Sequence, residues 1–241
     1  MSRFLTKGLL RGSEVTSFEL QLQTSLVALA RGSGTPTFTR ATTAYQTDFE
    51  GKQNLVLSGE ARMQGARRVR NGIVTSSENF SAWLVDGAAT VTAGQSDPLG
   101  GTTAYKIANT TAGNGVFNAP IFSGANDKRY SVWLCGEVGG EVITVGATGL
   151  TVTLTTSWLR YSTLGIGTDT NFLLRPTGAN KTFYAWRAQA EQIAGQANQN
   201  PSEYVSVGVL SAPYHGAGVD GVKYFNYLNP NTVADNIVTE G

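Results

Sequence analysis

The side chains able to do chemistry are few and scattered. His215 is the only histidine, set between Tyr214 and Gly216 in a Gly-rich stretch. A histidine-based triad or proton relay would have to pass through it. No Gly-x-Ser-x-Gly turn surrounds a serine, and one histidine with one cysteine, Cys135, cannot make a His/Cys metal cluster. Two carboxylates suffice for glycoside hydrolysis, and Glu137 and Glu141 flank a Gly139-Gly140 turn. The preferred reading of that pair is the charged ends of a solvated hairpin. Asp86, Asp97, Asp127 and Asp169 stand in Gly- and Asn-containing loops where a hard cation could find oxygens. No fixed ligand spacing links them, and turn formation accounts for each. No catalytic residue, metal or cofactor is assigned.

Binding chemistry is better represented. A pyranose has one apolar face and a ring of hydroxyls, so sugar sites pair an exposed aromatic with polar neighbours. Trp158, which opens a strand after Thr155-Thr156-Ser157, is the first candidate; Tyr161 and Tyr105 are further candidates. Trp133 and Trp186 sit in alternating strands and read as core. Cys135, near Trp133, reads as a small buried apolar residue. Arg62, Arg67, Arg68 and Arg70 form a basic cluster. It is open to a nucleic-acid reading, a solvated-loop reading and an interface reading. The interface is preferred, with guanidinium groups pairing bidentately to carboxylates of a neighbouring subunit or a larger particle. The net charge of +1 and the lack of interleaved aromatics disfavour nucleic acid. Tyr224, Phe225 and Tyr227 decorate a Gly-rich tail too aromatic to be a solvated linker, and join the same expected interface.

The elements that must hold these residues are strands. The 241-residue chain is 41% apolar but only 15% charged, against roughly 25% charged in an average soluble domain. Its 29 glycines suit short strands and tight turns. Such a weakly charged surface suits a permanent oligomer. From Thr90 the pattern predicts strands at Thr90–Ala93, Thr103–Ala108, Val116–Phe122, Tyr130–Gly136, Glu141–Ala147, Leu150–Thr155, Leu159–Leu164, Asn171–Arg175 and Thr182–Gln189. Regular spacing with Gly, Asn and Asp between them means an all-β sandwich or barrel. Earlier in the chain, Phe18-Glu-Leu-Gln-Leu22 alternates as a strand, Asp48-Phe-Glu-Gly51 reads as a turn and Asn54–Leu57 as a short strand. No apolar run approaches the roughly 20 residues of a membrane helix. Met1–Leu10 lacks a small-residue cleavage site, so no signal peptide is expected.

Ordered phrases then carry a resemblance. They are Thr39-Arg-Ala-Thr-Thr-Ala-Tyr45, Gly65-Ala-Arg-Arg-Val-Arg-Asn71, Ser77-Glu-Asn-Phe-Ser-Ala-Trp83 and Asp97-Pro-Leu-Gly-Gly-Thr-Thr-Ala-Tyr-Lys106. They continue with Tyr130-Ser-Val-Trp-Leu134, Phe183-Tyr-Ala-Trp-Arg-Ala-Gln-Ala-Glu191 and Pro201-Ser-Glu-Tyr204. In this order they resemble virion proteins of tailed bacteriophages: head fibres, tail-fibre segments and related spikes. The resemblance covers about residues 36 to 205 and implies a jelly-roll β-sandwich similar to carbohydrate-binding modules. It implies an extended N-terminal virion-attachment arm at 1–58, an Arg-rich linker at 59–71, the sandwich at 72–207 and an irregular C-terminal tail at 208–241. It also implies a non-enzymatic virion component assembled in the host cytoplasm. The partners it implies are two further copies in a homotrimer, capsid, portal or tail proteins, and host-surface glycans, with no nucleic acid and no membrane insertion. A free-standing carbohydrate-binding module is the alternative.

Overall fold

The computed structural model describes residues 39–120, 122, 127–147, 150–165, 171–208 and 219–225, with the backbone of two short strands before them. In chain order the strands begin with β1 (Glu19–Leu20), β2 (Ala30–Arg31), β3 (Ala44–Thr47), β4 (Gln53–Val56) and β5 (Arg67–Arg70). They continue as β6 (Leu84–Val85), β7 (Thr90–Gln95), β8 (Ala104–Ala108), β9 (Val116–Asn118), β10 (Lys128–Gly136) and β11 (Val142–Gly146). The last are β12 (Thr151–Thr153), β13 (Leu159–Gly165), β14 (Phe172–Pro176), β15 (Thr182–Gln192) and β16 (Val222–Phe225).

Two five-stranded antiparallel sheets form the body, in the orders β13-β10-β15-β8-β7 and β12-β11-β14-β9-β6. The chain crosses between them at β6–β7, β8–β9, β9–β10, β10–β11, β12–β13, β13–β14 and β14–β15. That alternation makes the sandwich a jelly roll. Period-2 side chains from the two inner faces meet in the middle. Tyr130, Val132 and Leu134 of β10 and Phe183 and Ala185 of β15 come from one side; Ile143, Val145, Phe172 and Leu174 come from the other. Gly146, with φ of +85°, lets the ring of Tyr130 lie where a Cβ would stand, 2.2 Å away.

The Ser77–Trp83 phrase closes one end of this core. Asn79 caps a 3-10 turn at Phe80–Ala82, its Oδ1 accepting from the Ser81 N–H. The turn buries Phe80 and Trp83 against each other at 4.9 Å between centroids, and Trp83 packs on Phe172 at 5.5 Å. The Trp83 indole N–H donates to the Ser76 carbonyl. The other strands follow the order of the expected train, but β9 stops at Asn118 short of the expected Phe122, β6 is an addition to it, and two pairings slip in register, β7 against β8 between Thr92 and Gln95 and β10 against β15. Between Val132 and Trp133 the register of β10 against β15 slips by a residue. Arg187, at φ of +48°, is the extra residue of this β-bulge. Past it, Ala188 and Ala190 again face the core.

Outside the sandwich, β3 and β4 form a hairpin, and β5 pairs antiparallel with β16, Val222 opposite Arg70 and Phe225 opposite Arg67. Arg40 ties down the strand-to-strand connection that follows the hairpin, donating to the carbonyls of Leu57 (2.5 Å) and Glu60 (2.9 Å). A small second core gathers Ala61, Met63, Ala66, Val222 and Tyr224. The stretch expected as a linker therefore contains a paired strand and a packed loop. The described part of the expected tail returns to its own chain. Residues 1–38 of the expected arm, apart from the backbone of β1 and β2, lie outside the described residues, as do His215, Asp169 and Tyr227.

Asp97 organises the turn into β8. Its carboxylate accepts from the backbone N–H groups of Leu99, Gly101 and Thr103 and from the Thr103 hydroxyl at 2.7 Å. Burial works to raise its pKa, but the bonds from Thr103, Leu99 and Gly101 prevail and hold the carboxyl below its ordinary value. The stability it contributes is therefore complete above the unfolded pKa of about 4 and lost as pH falls through the lower folded value. Urea denaturation across that acid range should show a shallower loss for Asp97→Asn than for the wild type. Parallel acid limbs would remove Asp97 as the source.

Candidate functional site

The sequence candidates for sugar stacking do not form one surface. Tyr161 pairs across from Val132 and packs on the inter-sheet core, with its hydroxyl accepting from the Thr155 N–H. Tyr105, on β8, also packs on that core and donates its hydroxyl to Asn79. Two strands, β10 and β15, separate it from β13. Trp158 is half-buried just before β13. Of the three candidates, the two tyrosines face inward and Trp158 is half-buried on another part of the sheet edge. Strand parity is the cause: the pleat sends both tyrosines to the inner face.

Trp133 and Trp186 point the other way. They sit opposite each other on the outer face of the sheet, with ring centroids 5.4 Å apart. Tyr204 covers them from the returning segment 201–207, with Arg160 4.6 Å above Trp133 and Arg187 3.9 Å above Trp186. Thr103 accepts the Trp186 indole N–H. Trp186 is buried and Trp133 half-buried, on the outer face and not, as expected, between the sheets. Cys135 shares that outer face and is half-buried, with its thiol near the Thr156 carbonyl.

The basic cluster is mostly satisfied from within. Arg68 makes a two-pronged bond to Glu60, Nε to Oε1 at 2.6 Å and Nη2 to Oε2 at 2.9 Å. Glu60 is fully buried and also accepts from the Tyr224 hydroxyl (2.7 Å) and the Leu57 N–H (2.8 Å). Burial, then the Glu60 charge, raises the Tyr224 pKa, so it remains a phenol donor. Arg67 pairs with Glu203 and lies over the Phe225 ring. Arg62 is half-buried in the loop before β5. For Arg67, Arg68, Tyr224 and Phe225 the expected neighbouring subunit is thus replaced by the chain's own carboxylates and by β16. The carboxylate partners lie far from the arginines in sequence or carry no local pattern, which hid them from a linear reading.

Beside this hub is a cavity of about 290 Å³, between the β3–β4 hairpin, β5 and the end of β15. Lys52, Gln53, Asn54 and Leu55 line it from the hairpin, Arg68 and Arg70 from β5, and Glu191, Gln192 and Gln196 from β15 and the following loop. Phe122 forms one wall, its ring seated on Gly72, where a Cβ would stand 2.2 Å from it. A cleft of about 40 Å³ shares Asn54, Arg68 and Gln196 and runs toward Asp48, Glu50 and Ser202. Lys52 reaches across to donate to the Ala194 carbonyl at 2.6 Å. The lining is rich in amides and cations, suited to a small hydroxylated or anionic ligand. Of the residues singled out from sequence, Arg68 and Arg70 line it and the aromatic candidates do not. Lys52, Gln53, Asn54, Gln192 and Gln196 went unnoticed. The polar Ala194–Asn200 loop was the only signal, and nothing local joins it to the hairpin.

Glu137, Glu141 and Asp86 have structural partners. Glu137 is exposed and bonds Lys106 at 2.9 Å, whereas Glu141 turns inward to accept from the Val138 N–H. Asp86 pairs with Arg175 at 2.7 Å. Among the described residues no three His, Cys, Asp or Glu side chains gather as a metal site. No helix among them is long and apolar enough to cross a membrane.

No family model matches the chain, and no curated protein does. Among solved structures, the C-terminal family 22 carbohydrate-binding module of Clostridium thermocellum Xyn10B aligns over 54% of this chain and 98% of its own, with 17% identity and a TM-score of 0.38. The CBM22-1–GH10 modules of the same organism's xylanase, complexed with xylohexaose, align over 55% of this chain and 30% of theirs, with 14% identity and a TM-score of 0.39. The enzymatically active domain of bacteriophage CBA120 tailspike protein 4 aligns over 51% of this chain and 21% of its own, with 13% identity and a TM-score of 0.38. These are partial overlaps of general architecture. The jelly-roll assignment rests on the strand order itself.

Proposed function

We propose that this chain is a non-enzymatic glycan-binding part of a bacteriophage particle, a head-fibre, decoration or tail-fibre segment. The observation that carries the binding half is the cavity of about 290 Å³ lined by amides, guanidinium groups and an ammonium. Its size sits near the lower end of the roughly 300–1,000 Å³ typical of small-molecule sites, matching a sugar unit better than a long chain. A rim of Gln and Asn side chains suits a ligand that is mostly hydroxyl groups. The virion half is supported by the ordered sequence phrases from Thr39 to Tyr204, which resemble those of phage fibres. Many copies on one particle would raise weak contacts with a host-surface sugar to useful avidity.

A free-standing carbohydrate-binding module is the second reading. The internal pairing of Arg67, Arg68, Tyr224 and Phe225 favours it, because that surface closes without a neighbour. Two measurements decide. A glycan array followed by NMR titration of the whole chain should move the amide signals of Gln53, Asn54, Gln192 and Gln196. Silence of those signals against every retained sugar overturns the binding site. Light scattering after size exclusion then separates the readings: a trimer is expected of the fibre part and a monomer of the free module.

A further inference from the structure

We propose that the cavity between the β3–β4 hairpin, β5 and β15 selects a sugar bearing a carboxylate, and that Arg70 is the residue that reads the acid. This rests on the glycan-binding reading of the same cavity and adds the chemical class of the ligand.

The three β5 arginines that follow Ala66 differ in how their donors are used. Arg67 is held by Glu203 and Ser202, and Arg68 by both oxygens of Glu60. Arg70 has no hydrogen bond or ion pair among the described residues. The Phe122 ring lies 6.0 Å from its guanidinium carbon. A ring can steady a guanidinium group without consuming its N–H donors. Arg70 thus offers a free planar fork on a cavity wall, the geometry that takes a carboxylate through two parallel bonds.

The surrounding charges favour an anion. Lys52 and Arg70 line the cavity as cations against Glu191, while the charge of Arg68 is already balanced by Glu60. Glu191 is committed elsewhere, accepting from the Ser202 N–H at 3.0 Å. Lys52 spends one N–H on Ala194 and keeps two. Burial and then the neighbouring Arg68 charge lower the Arg70 pKa, against the opposing Glu60 charge.

The neutral groups suit the rest of a sugar. Gln53, Asn54 and Gln196 each give an amide N–H to the protein, to Thr47, Asp48 and Gln192 respectively. Among the described residues their side-chain carbonyl oxygens accept nothing, which leaves acceptors for hydroxyl protons. A simple anion would use the cations and leave these amides idle.

The test is calorimetric titration of the full chain with galacturonate, glucuronate and N-acetylneuraminate, each beside its uncharged methyl ester, with acetate as competitor. At least one acid is expected to bind about tenfold or more tightly than its ester, a preference that weakens with salt. Arg70→Gln should abolish that preference while retaining ester binding and an unchanged melting temperature. Equal affinity of acid and ester overturns the acidic specificity and leaves glycan binding standing. No binding of either form overturns both. Acetate competing as well as the sugars shows a bare anion site and also overturns the proposal.

Discussion

Replacing Glu60 by alanine is expected to cost about 3–5 kcal/mol of folding stability, a large share of what a single domain possesses. The carboxylate is wholly enclosed and every bond it makes is internal: two from Arg68, one from Tyr224 and one from the Leu57 backbone. Removing it leaves the Arg68 guanidinium, only 10% exposed, without the carboxylate that holds it. Glu60→Gln keeps the volume but not the charge and should fall between alanine and wild type. Tyr224→Phe loses one bond to a charged group and should cost about 1.5–3 kcal/mol. Glu137→Ala is the control, because the Lys106–Glu137 pair is solvent-exposed and its loss should leave the midpoint nearly unmoved. Urea denaturation followed by tryptophan fluorescence reads all four. A Glu60→Ala midpoint no lower than that of Glu137→Ala would sink the view of Glu60 as the hub.

Asn71→Ala is expected to destabilise by about 2–4 kcal/mol, because one buried amide satisfies four backbone groups. Its Nδ2 donates to the carbonyls of Ala188 (3.0 Å) and Val205 (2.8 Å). Its Oδ1 accepts from the N–H groups of Ile73 (3.2 Å) and Ala190 (3.1 Å). The residue thereby joins the end of β5, the long strand β15 and the returning segment. In a chain of this size that loss should lower the melting temperature by roughly 5–15 °C. Asn71→Asp should be no better than alanine, since it aims a charge at two carbonyl oxygens. An aspartate variant as stable as the wild type would show that the donor side of the amide contributes little.

The sandwich was readable wherever a strand had one buried face. The stretch read at Tyr130–Gly136 lies inside β10, and that at Leu159–Leu164 inside β13, because alternation of Val, Leu and Thr with polar residues is a direct print of the pleat. The bulge at Arg187 was not readable. A strict period-2 reading of Phe183–Gln189 has no place for an extra residue, although the parity switch from Phe183 and Ala185 to Ala188 and Ala190 is its trace. β5 was hidden for a different reason. Arg67-Arg-Val-Arg70 reads as a contact for a neighbouring subunit until Glu60, Glu203 and Phe225 are brought to it by the fold. The same holds for the cavity, whose walls come from separate stretches that meet only after folding. Tyr105 and Tyr161 were placed in strands correctly, but an aromatic residue in a strand does not announce which face it takes.

The β5–β16 pairing has a consequence for how the protein is made. β5 leaves the ribosome early, yet its partner strand is synthesised only after the whole sandwich. Until Val222–Phe225 appears, Glu60 lacks the Tyr224 hydroxyl and β5 presents a bare edge to any passing chain. The β3–β5 region is thus completed only once β16 has been made and has paired with β5. A nascent chain halted at the end of the jelly roll would carry a complete sandwich and an unlatched, aggregation-prone flank.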